Sequence, residues 1–146
     1  MHASLPSAVL ALLFCGGCRA PATPAKVAFE RQMTGQLGLA LEAKNLVARS
    51  AEEWRAFCRP NAPGVEDALR DFDWSANMLI AVALGSRPSG GYAVEIESVE
   101  QDGARWVVHA RETRPTPGSL QTQMVTSPFD CVSTRRFDGN VMFRFE

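Results

Sequence analysis

The chain has 146 residues, enough for one domain with a self-sufficient core and little room for a second. Hydrophobic residues make up 46% and charged ones 21%, the balance of a folded globular protein and not of a disordered one. Fifteen Lys and Arg against 16 Asp and Glu leave a net charge of −1. The charges are mixed along the chain without a basic stripe or an acidic block, which argues against nucleic acid as a partner and against a solvating tail.

Residues 5–14 form a short apolar run that ends at Cys15-Gly16-Gly17-Cys18. Such a run is too short to cross roughly 30 Å of bilayer hydrocarbon, and its length suits the hydrophobic region of a secretory signal. Gly16 and Gly17 are small enough for a peptidase cleft, and Cys18 brings a thiol to the cut. The pattern resembles the lipobox of bacterial lipoproteins, with Cys15 where that pattern prefers Leu and with His2, but no Lys or Arg, before the apolar run. The resemblance implies a signal peptide over residues 1–17 and a lipidated Cys18. Residues 18–26, with two prolines, then read as an extended linker, and residues 27–146 as the folded domain. Two acyl chains anchor a protein stably where one holds it only marginally, so the lipid on Cys18 would tether the domain to the cell envelope. The alternative is ordinary secretion, with cleavage near Ala20 or Ala22. A redox pair of Cys15 and Cys18 lacks the βαβ setting that such a motif requires.

In the folded part, residues 27–33 are expected as a first strand and residues 45–49 as a short second one. Ser50 with Glu53 forms a capping box, and Trp54, Phe57 and Cys58 then share one face, so a helix of two to three turns should run to Arg59 before Pro60. Residues 60–77 read as an irregular connection, with Asp71 and Asp73 on a solvated loop. Residues 78–84 are apolar without a break, the pattern of a strand covered on both faces. Tyr92, Val94 and Ile96 alternate with Ala93, Glu95 and Glu97. Asp102-Gly103 then marks a hairpin, and Trp106, Val108 and Ala110 alternate on the return. Residues 121–126 and 129–135 are further strand candidates on either side of Pro128. In the last strand Val141, Phe143 and Phe145 face one way, and Met142, Arg144 and Glu146 the other. Many short strands and one helix define an α+β domain, mostly antiparallel, either a small barrel or a sandwich.

Catalytic groupings are sparse in this pattern. His109, the one histidine after the leader, sits in mid-strand and should face away from the Trp106 side. With Cys58 and Cys131 it supplies too few ligands, without the usual spacing, for zinc. No phosphate loop, dinucleotide fingerprint or nucleophile elbow occurs. The expectation is a protein that is not an enzyme, with no catalytic residue, no metal and no cofactor. Cys58 and Cys131 form either a disulfide, as exported proteins allow, or two buried thiols. The segment Arg87-Pro88-Ser89-Gly90-Gly91-Tyr92 is a rigid turn that presents backbone groups between two strands. A second turn falls at Pro117 and Gly118.

The order Glu53-Trp54, Asp71-Phe72, the apolar strand, the Gly90-Gly91-Tyr92 turn, Val94-Glu95-Ile96, Pro115-Thr116-Pro117-Gly118, Gln121-Thr122-Gln123 and Thr126-Ser127-Pro128 resembles the C-terminal domain of the protease-complex subunit PrcB family, over roughly residues 45–135. The family is named for a non-catalytic subunit of a surface protease complex, and many members are exported. The resemblance implies a tethered binding or assembly module whose partner is an envelope protein, a protease among the candidates. Arg87, Pro88, Gly90, Gly91, Tyr92, Pro117 and Gly118 are then the expected partner-binding residues. The Pro-x-Gly-Gly-Tyr turn is also similar to the loop that chagasin-like cysteine-protease inhibitors insert into their targets, so the alternative function is protease inhibition through residues 87–92.

Overall fold

The computed structural model describes residues 23–36, 40–58 and 69–146. The expected signal peptide, the expected lipidation position at Cys18 and most of the expected linker lie outside the described residues. Among the described residues, no helix is long and apolar enough to cross a membrane.

Among the described residues, eight strands and one helix follow in order: β1 (Ala25–Lys26), β2 (Phe29–Gly35), β3 (Ala43–Ala48), α1 (Ala51–Phe57), β4 (Asn77–Leu84), β5 (Ala93–Asp102), β6 (Arg105–Thr113), β7 (Phe129–Arg135) and β8 (Asn140–Phe145). They form two four-stranded sheets, β1-β5-β6-β8 and β2-β7-β4-β3, that do not close on each other. The domain is therefore the sandwich of the two architectures anticipated. All pairings are antiparallel except β6 with β8.

Two apolar layers result. Met78, Ile80, Val82 and Leu84 of β4 meet Val94, Ile96, Trp106, Val108 and Ala110 of the facing sheet. Leu79, Ala81 and Ala83 point out of the other face of β4 and pack with Trp54 and Phe57 of α1, Leu69, and Phe129 and Cys131 of β7. The unbroken apolar run of β4 has its cause here, since one of its faces meets a sheet and the other a helix.

Ser50 caps α1 by accepting from the Glu53 amide at 3.2 Å. The reciprocal bond differs from the expected box, because Glu53 Oε2 accepts from the Arg49 amide, one residue earlier. The helix itself is short, and Cys58 closes it in extended backbone. At the hairpin, Asp102 pairs with Arg105, so Gly103 and Ala104 are the two loop residues, one step later than the sequence pattern suggests. Asp73 lies on an exposed turn, where the hydroxyl and amide of Ser75 and the amide of Ala76 hold its carboxyl below the usual range.

Residues 121–126 correct the expectation of a strand. They hold one isolated bridge, Thr126 with Arg87, and no ladder. A bulge between Ile96 and Ser98 also shifts the alternation of β5, so that Val99 turns inward after Ile96.

Cys58 and Cys131 are both thiols here, in and against the same helix-side layer. Burial, then Asp130, then Cys58 push the Cys131 thiol far above its ordinary range. Only the thiolate attacks alkylating reagents. In reduced native protein, iodoacetamide is expected to label Cys58 well before Cys131, which should react only on unfolding. Equal labelling rates in peptide mass spectra would contradict this burial.

Candidate docking surface

The chain crosses from one sheet to the other between β1 and β2, at Val27 and Ala28. Val27 still donates to the Val99 carbonyl at 2.8 Å, and then the edge of β5 loses its neighbour. Ile96, beyond that point, has both backbone groups satisfied by side chains. Its amide donates to Asp130 Oδ2 at 2.7 Å, and its carbonyl accepts from Arg31 Nη2 at 2.9 Å. Arg31 Nε donates in turn to Asp130 Oδ1 at 2.9 Å. The Asp130 hydrogen bond leads the forces that raise the Arg31 pKa, against the opposing effect of burial. This fully buried carboxylate is a joint between the two sheets.

Two loops make up the candidate surface: residues 85–92, after β4, and residues 114–128, before β7. They leave the sandwich together because β4 and β7 are paired, and Leu84 already donates to the Pro128 carbonyl at 2.9 Å. Arg87 and Thr126 exchange both backbone bonds, at 2.7 and 3.0 Å, and the Gly90 amide donates to the Thr122 carbonyl at 2.9 Å. The Thr126 hydroxyl adds a bond to the Ser89 carbonyl at 2.9 Å. Two loops far apart in the sequence are thus one cross-braced unit.

Gly91 shows why the pair of glycines is there. Its φ is +83°, and a Cβ would lie 2.8 Å from Pro115 Cβ and run into the Gln121 side chain. Both the backbone angle and the neighbours require glycine. Gly90, by contrast, has room, since a Cβ there would meet Thr122 at 3.5 Å. Tyr92 packs its half-buried ring on the inter-sheet core, with the Arg87 guanidinium 5.7 Å above it. Arg87 Nη2 also lies 3.6 Å from Glu112 Oε1, which Arg114 Nε approaches to 3.1 Å. Pro88 and Gly91 are exposed.

Pro117 and Gly118 occupy the exposed middle of a turn closed by Ser119 N–H to the Thr116 carbonyl at 3.0 Å. Proline followed by glycine at φ +81° is the pattern of a type II turn. The anticipated residues are therefore brought to one end, with Pro115 and Gln121 as the contact between them. Glu112, Gln121 and Thr122 were missed as parts of this surface. Their roles depend on pairing across 25 to 32 positions, which no local pattern carries.

His109 faces away from the core side, as expected, with Nε2 3.5 Å from Glu100 Oε2. Among the described residues, no group of three or more His, Cys, Asp or Glu could hold a metal ion.

The class defined by these features is a β-sandwich with one helical cover and a braced two-loop surface at one end. A family model described as PrcB C-terminal matches residues 78–135, from β4 to the end of β7, so that part of the chain is similar to the PrcB C-terminal family. The match holds the Gly90-Gly91-Tyr92 turn and both loops, while Glu53-Trp54 and Asp71-Phe72 fall before it. No curated protein and no solved structure matches the chain.

Proposed function

We propose that this protein is a non-catalytic docking or assembly module, tethered to the cell envelope through a lipid on Cys18 and serving as an accessory subunit of a surface protease complex. The observation that carries the reading is the cross-braced pair of loops on a rigid sandwich, inside the span shared with the PrcB C-terminal family. A surface held by backbone bonds is already ordered before a partner arrives, so less conformational entropy is lost on docking.

The experiment is a pulldown from detergent-solubilised membranes with the protein as it is exported. Retention of the partner protease subunit is expected to fall for Gly91→Val, which breaks the loop contact, and for Tyr92→Ala, which removes the ring under Arg87. Circular dichroism melts would report that the domain still folds. Undiminished retention in both variants sinks the reading. Intact-mass analysis of the mature amino terminus tests the tether, since Cys18 should carry a diacylglyceryl adduct. An unmodified amine further along the chain would remove the anchor.

A second reading, protease inhibition, is favoured by the contact of Gly91 with Pro115 and Gln121, which sets two turns side by side as wedges. Assays against a papain-like and a subtilisin-like protease separate it from docking, and no inhibition at micromolar protein ends it.

A further inference from the structure

The two ends of the sandwich differ. β1 pairs Ala25 with Gln101 and Lys26 with Glu100, so the chain enters the domain beside the Asp102–Arg105 hairpin. The braced loops lie at the other end, ahead of Ala93 and behind its partner Thr113. From Gln101 back to Ala93, β5 spans roughly 27 Å at about 3.4 Å per residue.

Exposed apolar side chains gather at that far end. Leu41, Leu120, Met124, Val125 and Phe145 are five of the six large hydrophobic residues that stand exposed among the described residues. Leu120, Met124 and Val125 belong to the second loop. Leu41 joins them through its carbonyl, which accepts from the Ser86 amide at 2.9 Å. Phe145 pairs with Ala110, close to the end of β6. The flanks are charged by comparison. On the outer face of β5 and β6, Arg111 lies 2.8 Å from Glu97 and His109 3.5 Å from Glu100. On the opposite flank α1 exposes Glu52, Glu53 and Arg55.

Apolar side chains at one end of a domain suit either a lipid surface or a protein. The position of the tether separates the two. From Cys18 to Ala25 the chain reaches at most about 25 Å when drawn straight, and typically about 15 Å. Setting the far end upright on the bilayer that holds the lipid exceeds even the full reach. Laying the domain flat would press its paired charges toward hydrocarbon, at the cost of their solvation.

We propose that the apolar end points away from the bilayer and receives an apolar face on a water-exposed domain of the partner protein, about 40 Å above the membrane. The inference rests on the proposed tether and docking surface, and it names the part of the partner that docks.

The test uses protein whose lipid on Cys18 has been confirmed by mass. It is reconstituted in phosphatidylethanolamine–phosphatidylglycerol vesicles that carry an energy acceptor on the headgroups. A donor dye is attached through Ala104→Cys, in the hairpin, or Thr116→Cys, in the far loop, with Cys58→Ser in both variants. Energy transfer from the hairpin label is expected to exceed that from the loop label several-fold. Equal transfer, or more from the loop, overturns the proposal. Combining Leu120→Glu with Val125→Glu should lower partner retention about tenfold, roughly the worth of burying one such side chain. Retention lost with Gly91→Val but not with this double variant leaves docking in place and removes the apolar contact. A mature chain made with Cys18→Ser should not bind the same vesicles. Binding that the double variant abolishes would make the lipid surface the occupant and overturn the proposal. A native terminus without lipid removes the tether and this proposal together.

Discussion

Asp130→Ala is expected to lower the stability of the domain by about 2–4 kcal/mol, from the charge-assisted bonds lost and the buried Ile96 amide left without an acceptor. For a domain of this size that is a fall in Tm of roughly 10–20 °C. The carboxylate is fully buried, and three groups depend on it: Arg31 Nε, Arg31 Nη2 and the Ile96 amide. Alanine leaves the Ile96 amide without an acceptor where β5 has no strand on that side. It also releases the guanidinium, which holds the Ile96 carbonyl. Asp130→Asn should recover part of the loss, because its amide oxygen can still accept from Ile96 while its NH2 group faces a cation. Arg31→Ala should cost about 3–5 kcal/mol, because it leaves the buried Asp130 carboxylate with a single amide as partner. Thermal or urea denaturation of the three variants tests the order. A loss below about 1 kcal/mol for Asp130→Ala would show that the joint is dispensable and that the apolar layers alone align the sheets.

Nothing in the local sequence announces that joint. Asp130 and Arg31 are 99 positions apart, and an acid between Phe129 and Cys131 carries no periodic signal. What the sequence does carry is burial on a repeating face. The run through β4 and the alternation of β6 were legible because each face of those strands meets one kind of environment along its whole length. Orientation is another matter. The alternation of Val141, Phe143 and Phe145 marks β8 as a strand, but the same alternation serves a parallel or an antiparallel neighbour. Only the crossing after β7 decides, and Arg49 braces it through the carbonyls of Phe137 and Gly139. Barrel and sandwich were equally open for a similar reason, because the passage from β1 to β2 at Val27 and Ala28 changes sheets without changing composition.

The candidate surface divides along the same line. Gly90, Gly91, Pro117 and Gly118 were visible because turns need particular backbone angles, and few residues provide them. Residues 121–126 form no ladder, because the neighbour they meet is a loop that supplies one bridge. A strand needs a partner as much as a propensity, and the partner is encoded elsewhere.

Trp106 separates packing from polarity in the inter-sheet core. Trp106→Ala is expected to cost about 3–5 kcal/mol, in the range for emptying a buried aromatic site. The ring is fully buried, stacks on Phe137 at 4.4 Å with planes 2° apart, and lies under the Arg135 guanidinium at 4.8 Å. Its indole N–H finds no acceptor among the described residues. Trp106→Phe therefore gives up no hydrogen bond, removes a buried donor and keeps a ring for Phe137 to stack on. Its cost should be only about 1–2 kcal/mol, set by the volume lost. Urea denaturation of both variants measures the gap. Equal losses would mean that the indole N–H is bonded in solution, and that a polar contact, not the stacked rings, holds this end of β6 against the crossing to β8.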